Sequence, residues 1–284
     1  MKKNNYAKIN LVLNVLDNKK PNGFHTLDMI NVTVSLKDSV NIKFLNDNLN
    51  KIIIKCNDKN VPTDKSNLVY EIIEKFKKVF SLSFSCVVSL KKKIPANAGL
   101  AGGSGNASVT LDILDKHFKT KMTLKQKMNF IENITSDGPY MLISSPCRVK
   151  GKGNIITPIK NNLKAKILIV KPKTGCSTKE VFSSLDYKNI KRSNINKAIE
   201  ALTNNDLELL SKHISNSLTD SSCGLNKDIV ETLNRLKVCD FEIVSMSGSG
   251  STCFAISKRN YPFKKAKEIF SKENYEIFKI CKIR

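Results

Sequence analysis

The run of small residues from Pro95 to Ser108, PANAGLAGGSGNAS, limits the fold more than any other stretch of the chain. Side chains this small cannot fill a core, so the stretch presents backbone. Gly99, Gly102, Gly103 and Gly105 lack a Cβ, which permits left-handed torsions and lets several N–H groups converge on one anion. Ahead of it, Phe84 to Leu90 reads as a strand followed by Lys91, Lys92 and Lys93. Behind it, from Asn106, residues at Ala107, Thr110 or Leu111, Ile113, Leu114 and Phe118 have the spacing of an amphipathic helix. The loop therefore opens onto a helix N-terminus, whose unpaired N–H groups and roughly half a positive charge favour phosphate. Ser104 and Asn106 are the expected polar groups at that cap. The competing reading is a plain surface turn before a core helix. The run matches neither G-x-x-x-x-G-K-[ST] nor G-x-G-x-x-G, so the two commonest phosphate loops are excluded.

Upstream, AKINLVLNVL at 7–16 alternates, with Ile9, Leu11, Leu13 and Val15 on one face and Lys8, Asn10, Val12 and Asn14 on the other. Residues 17–23 contain Pro21, Asn22 and Gly23 and read as a turn; Thr26 to Leu36 resumes a strand, which predicts a hairpin with Phe24 and His25 at its mouth. On pattern alone His25 is either a surface hydrogen-bonding residue or a ligand contact. Asp38 is expected to begin a tight connection to Val40–Leu45, and Ile52–Cys56 to form another strand. Ser66 is expected to cap a helix to about Phe80 with Leu68, Ile72, Ile73 and Phe76 buried.

After the glycine run, Thr123 caps a predicted helix through Ile134. Asp137 then precedes a Gly-Pro pair, where turn formation or capping would account for an aspartate. Lys166 to Lys171 reads as a buried strand that begins a second region, and helical patterns recur at 178–185, 195–202, 206–217 and 227–236. Phe241 to Ser257 reads as strand, glycine-serine turn and strand. Gly248, Ser249, Gly250 and Ser251 suit a hairpin or a close approach to a ligand. Residues 263–270 and 275–280 read as a helix and a strand.

With 284 residues and a hydrophobic fraction of 40%, the chain can bury about three quarters of its extended surface, in one large domain or two ordinary ones. Its net charge of +23 would attract any polyanion, nucleic acid included. The lysines are nevertheless scattered in an Asn- and Ile-rich sequence, as a composition bias would leave them. Eight cysteines without a C-x-x-C pair argue against a zinc site, and Cys56, Cys86 and Cys253 sit in apolar runs as small core residues. Reduced thiols, the lack of an apolar leader after Met1 and the lack of a span-length apolar stretch lead us to expect a cytoplasmic protein with no membrane association.

Three stretches stand in order: AKINL at 7–11, PANAGLAGGSGNA at 95–107 and SGSGSTCF at 247–254. Together they resemble the three motifs of the GHMP kinases, which phosphorylate small molecules with ATP. NGFHTL at 22–27 is similar to the hairpin signature of the branch whose alcohol is 4-diphosphocytidyl-2-C-methyl-D-erythritol, a substrate of the non-mevalonate isoprenoid route. Two departures stand out: Gly105 occupies a position where a second Ser is usual, and SDGPY at 136–140 replaces the more typical ADVPF. The resemblance implies an α+β, two-domain fold with the active site between the domains. The N-terminal nucleotide-binding domain, 1–160, would be ribosomal-S5-like and the C-terminal domain, 161–284, ferredoxin-like, with a boundary in the polar stretch Thr157 to Lys164.

The same resemblance implies the site. Asp137 would accept the proton of the 2-hydroxyl, and Lys8 would orient Asp137 and offset charge on the transferred phosphoryl group. Pro95, Ala96, Asn97, Ala98, Gly99, Leu100, Ala101, Gly102, Gly103, Ser104 and Gly105 would hold ATP, with Mg²⁺ carried by its phosphates and Ser104 as a polar neighbour. Phe24 would stack on cytosine, His25 would hydrogen-bond its edge, and Asn10 would reach the erythritol hydroxyls. The implied partner is a small-molecule substrate, not nucleic acid, and the implied state is a monomer or homodimer. Two alternatives remain: a GHMP kinase for another alcohol, such as mevalonate or homoserine, and an RNA-binding protein suggested by the charge. The latter finds no RNP-type motif or continuous basic arm in the sequence.

Overall fold

The computed structural model describes residues 1–17, 24–47, 49–270 and 275–284. The chain forms two compact units, one of residues 1–7, 36–96 and 101–144 and the other of residues 8–35, 97–100 and 145–284. Strands β1 (Lys2–Val15) and β2 (Leu27–Leu45) pair, and each supplies residues to both units. The tip of the expected hairpin, 18–23, lies outside the described residues, and so do 48 and 271–274.

In the first unit the central strand is β4 (Ser85–Lys91), antiparallel to residues 39–45 of β2 and parallel to β3 (Ile52–Cys56). The alternation of β4 sends Cys86, Val88 and Leu90 inward, where α1 (Leu68–Val79) and α2 (Gly102–Phe118) cover them. Helix α1 forms because Val69, Ile72, Ile73 and Phe76 recur at helical spacing, while Glu71 and Lys77 suit the two ends of its dipole. Its N-cap is Asn67, whose Oδ1 accepts from the Val69 N–H at 2.9 Å. The expected cap, Ser66, is instead turned to Asp64 by a 2.6 Å hydrogen bond. Phe76 is fully buried, with Phe80, Phe118 and Phe130 around its ring. Phe76→Ala should therefore cost about 3–5 kcal/mol of stability, read as a lowered urea midpoint with unchanged slope.

β2 does not break at Asp38, as the sequence suggested, but runs on to Leu45. The Asp38 carboxylate is buried and occupied: it pairs with the ammonium of Lys92 and accepts from the N–H groups of Lys93 and Ile94 at 2.7 and 2.8 Å. An aspartate so satisfied has no need of a turn. The lysines after β4 are correspondingly unequal, since Lys92 is buried whereas Lys91 and Lys93 are exposed. The unit is completed by α3 (Leu124–Ile131), which opens on a full capping box between Thr123 and Gln126, and by α4 (Gly138–Ile143).

The second unit contains an antiparallel sheet in the order β10 (Ile277–Lys282), β7 (Lys166–Lys171), β9 (Cys253–Ser257), β8 (Ile243–Met246). Its helices are α5 (Thr178–Ser183), α6 (Ile195–Asn204), α7 (Leu207–Lys212), α8 (Thr219–Leu225), α9 (Lys227–Val238) and α10 (Tyr261–Phe270). Residues 27–31 of β2 pair with β5 (Cys147–Gly151), which pairs with β6 (Ile155–Pro158). Along β1, the segment around Asn216 adds parallel pairing: Leu13 N–H donates to Ser215 O at 2.9 Å and Ser217 N–H to Leu13 O at 2.8 Å. β1 is consequently buried on both faces from Ala7 onward, so the polar residues Lys8, Asn10 and Asn14 must find partners inside the protein.

All eight cysteines are free thiols. Cys86 and Cys253 are core residues, as expected, while Cys56 is only half-buried. Burial pushes the Cys86 thiol up to about 11 and raises Cys253 as well, which keeps both protonated and inert.

Candidate active site

The three sequence motifs meet at a single point within the second unit. Gly99 has φ +69°, and a Cβ there would lie 2.4 Å from the carbonyl oxygen of Ser247. Ser247 Oγ donates to Gly99 O at 3.1 Å and accepts from the Asn10 N–H at 3.2 Å. Lys8 N–H donates to Leu100 O at 3.1 Å, closing the junction from β1. The glycine-serine turn is thus no simple hairpin. Its carbonyls are held from behind, by Asn216 Nδ2 on Met246 O and Gly248 O and by Ser222 Oγ on Ser249 O. Between the two glycine loops lies a cavity of about 450 Å³ lined by Asn97, Gly99, Cys176, Thr178, Ser249 and Gly250 among others. Apart from the Cys176 thiol its walls are backbone, hydroxyl and amide groups, the lining expected around an anion.

Lys8 and Asn10 share a face of β1, as the alternation required. Lys8 Nζ donates to Asn10 Oδ1 at 2.7 Å, and Asn10 Nδ2 donates to Asn31 Oδ1 at 2.7 Å. Asn10, expected to reach substrate hydroxyls, therefore has both ends of its carboxamide in contact with protein and also holds the Lys8 ammonium in place.

At the mouth of the hairpin Phe24 is exposed, whereas the His25 ring is fixed. It stacks on Phe182 with centroids 4.8 Å apart and 14° between planes, and its Nδ1 lies 3.0 Å from Tyr187 Oη. Burial, then the nearby Asp17 carboxylate, pushes the Tyr187 hydroxyl up, so it stays neutral. His25 Nε2 is buried and has no hydrogen-bond partner. A buried ring nitrogen left unsatisfied costs stability unless something fills it. Sequence reasoning missed Phe182 and Tyr187, which stand on and after α5 without a motif of their own.

In the first unit the glycine run becomes helix earlier than predicted. α2 starts at Gly102, behind Ala101 in a left-handed conformation (φ 55°, ψ 33°), and no side chain caps it. The expectation that Ser104 and Asn106 form the cap is corrected: both are already inside the helix. Ser104 Oγ lies 2.6 Å from Thr135 Oγ1, and Asn106 is bonded by Asn5. The first N–H groups of α2 thus lack a capping side chain of their own, as an anion-binding helix start requires. Gly103 suits that use, because a Cβ there would meet only Leu68 Cδ1, at 3.5 Å.

Asp137 occupies the N-cap position of α4 but its side chain makes no capping hydrogen bond. The turn that carries it is tightly held. Ser108 Oγ bonds Gly138 O at 3.0 Å, and a Cβ on Gly138 would come within 2.8 Å of Ile131. Asp137 is thereby presented on a rigid support, half-buried, and it does not serve as the cap of the helix it precedes.

The comparisons with known proteins give the class to which this chain belongs. The family models "GHMP kinases N terminal domain" and "GHMP kinases C terminal" match residues 67–140 and 198–277, and the chain belongs to the GHMP kinases. It is 36% identical over 281 residues to a 4-diphosphocytidyl-2-C-methyl-D-erythritol kinase of Clostridium perfringens, covering 95% of this chain and 96% of that one. To the kinase of the same name from Fusobacterium nucleatum it is 35% identical over 259 residues, 87% and 85% of the two chains. Among solved structures, a 4-(cytidine 5'-diphospho)-2C-methyl-D-erythritol kinase superposes with a TM-score of 0.80 at 21% identity over 99% of both chains. The mevalonate kinase of Methanococcus jannaschii gives 0.69 at 14% identity, over 100% of this chain and 98% of the other. The α+β, two-domain GHMP kinase fold is therefore the fold of this chain.

Proposed function

We propose that the chain transfers the γ-phosphoryl group of ATP to the 2-hydroxyl of 4-diphosphocytidyl-2-C-methyl-D-erythritol. The observation that carries the choice of substrate is the unpartnered Nε2 of a His25 ring clamped by Phe182 and Tyr187, beside the exposed ring of Phe24. An aromatic face for stacking and a fixed polar atom for one edge are what a pyrimidine base needs. Mevalonate and homoserine have no aromatic face to stack.

In this reading the Pro95–Gly105 loop holds the triphosphate through backbone N–H groups. Mg²⁺ would be carried by the phosphate oxygens, with Ser104 as its protein neighbour. When bound it would neutralise part of the phosphate charge. Asp137 takes the proton of the attacking hydroxyl. Lys8, steadied by Asn10, supplies positive charge to the transferred group, and Asn10, whose Oδ1 accepts from Lys8 Nζ, has a remaining lone pair on that oxygen for the erythritol hydroxyls. We further assign the division of labour to residues 1–160 and 161–284, and the work to the cytoplasm, by a monomer or homodimer that does not act on nucleic acid. No helix among the described residues is long and apolar enough to cross a membrane.

The deciding experiment supplies Mg-ATP with the cytidyl substrate, mevalonate and homoserine in parallel. Phosphate on the 2-hydroxyl of the cytidyl substrate alone is expected; turnover of another alcohol in its place would sink the assignment. Phe24→Ala should raise the KM for the cytidyl substrate about tenfold or more, the usual worth of a stacked base, and leave the KM for ATP nearly unchanged. His25→Ala should behave alike, and equal effects on both substrates would contradict the base-reading role.

A further inference from the structure

The departure at Gly105 has a structural counterpart on β1. A Cβ on Gly105 would lie 1.8 Å from Asn5 Oδ1 and 2.3 Å from Asn5 Cγ, so no side chain can stand at 105 while Asn5 is in place. Asn5 is 2% exposed. Its Nδ2 donates to Gly102 O at 2.9 Å and to Asn106 Oδ1 at 3.1 Å. Gly103, two residues earlier in the same helix, has room for a Cβ, so the two glycines have different causes: one leaves space on the open side, the other admits Asn5.

We propose that Asn5 is a positioning residue of the phosphate-binding helix start, doing from β1 what a side chain at position 105 would otherwise do from the helix. The reason lies in the planar peptide. Gly102 C=O and Gly103 N–H belong to one rigid unit and point in opposite directions, so a donor that fixes the carbonyl also aims the N–H. Asn5 fixes that carbonyl, and in the kinase reading on which this inference rests the Gly103 N–H is among those offered to ATP. The second hydrogen bond, to Asn106, ties the next turn of the helix to the same strand. Since Asn5 approaches the peptide from inside the protein, it touches no substrate, and its influence on ATP passes through Gly103.

The test is a four-member cycle of the parent chain, Asn5→Ala, Gly105→Ser and the double variant. ATP dissociation constants, the KM of each substrate, kcat and urea midpoints are measured for each. Asn5→Ala should raise the ATP dissociation constant about tenfold, the scale of one lost buried hydrogen-bonding group, with the KM for the cytidyl substrate changed by less than about twofold. Gly105→Ser alone should lower the urea midpoint and weaken ATP binding, because its Cβ meets Asn5. In the Asn5→Ala background the same substitution should instead restore ATP binding, a reversal of sign. Asn5→Ser, which keeps a smaller polar group, replaces Asn5→Ala if the latter does not fold. Unchanged ATP affinity in folded Asn5→Ala, or equal harm from Gly105→Ser in both backgrounds, would overturn the proposal. Failure of the parent chain to bind ATP would instead sink the kinase reading. The urea midpoints report the Asn5–Gly105 packing without nucleotide, so the two failures are told apart.

Discussion

Gly99→Ala should be strongly destabilising although it adds a single methyl group. At φ +69° an alanine is held in the left-handed region, which costs about 1–2 kcal/mol. Its Cβ would also stand 2.4 Å from Ser247 O and 3.2 Å from Gly250 O. These are backbone atoms, and Ser247 is further held through Gly99 O and the Asn10 N–H. No side-chain rotation relieves the contact, so one of the two glycine loops must move, at a further cost of about 1–3 kcal/mol. The expected result is a loss of about 2–5 kcal/mol in urea denaturation, together with weakened ATP binding at temperatures where the variant remains folded. Gly103→Ala is the control. Its Cβ meets only Leu68, so the fold should be unchanged, whereas Gly103→Val should keep the fold and crowd the approach of phosphate. Wild-type stability in Gly99→Ala would mean that the two loops do not meet as described.

The contrast between these glycines shows which parts of the site could be read from sequence. A glycine-rich run between strand and helix announces close approach, but it cannot say whether the visitor is an anion, a neighbouring loop or a side chain. Gly99 meets the Ser247 loop, Gly105 meets Asn5, and Gly103 has room for a Cβ beside Leu68. For Gly99 and Gly105 the residue that decides stands roughly 100–150 positions away in sequence. Local signals were legible wherever they acted alone. β7 appears at Lys166–Lys171 as predicted, Thr123 caps α3, and α1, α6 and α9 follow their apolar stripes. Misreadings arose where a polar residue was satisfied at long range. Asp38 resembles a turn former until Lys92 and the N–H groups after it are brought up; Ser66 is a local misreading of a different kind, since its neighbour Asn67 takes the cap and Asp64 holds its hydroxyl. α8, TDSSCGL, has no apolar period, β5, CRVKG, is short and carries Arg, Lys and Gly, and β6, IITP, is four residues ending in proline, so none of the three was visible as a regular element. His25 was ambiguous for the same reason: the rings that fix it, Phe182 and Tyr187, come from the other end of the chain.

Asp137→Asn is expected to abolish most turnover while leaving binding and fold intact. The substitution keeps the size of the side chain and much of its hydrogen bonding but removes the ability to take a proton. Positioned general bases contribute about 10² to 10⁴-fold, so kcat should fall by that factor. Stability should hardly move, because the substitution is isosteric and the turn that carries residue 137 is held by Ser108 Oγ on Gly138 O and by the packing of Gly138 on Ile131. That combination distinguishes a base from a cap: loss of an N-cap costs about 0.5–2 kcal/mol of stability and leaves the chemical step alone. Lys8→Ala is a less clean probe of the chemistry. Removing the ammonium leaves the buried Asn10 Oδ1 without the donor at 2.7 Å, so a stability loss of about 1–3 kcal/mol should accompany any fall in kcat. Lys8→Arg keeps the charge, but its planar fork replaces a point donor in a buried site and should recover little. For Asp137→Asn the measurements are single-turnover phosphoryl transfer, the ATP dissociation constant and the urea midpoint. The expected pattern is a collapse of the first with the other two unchanged. Near-normal turnover with ordinary substrate affinity would leave Asp137 a turn residue and require a different base for this kinase.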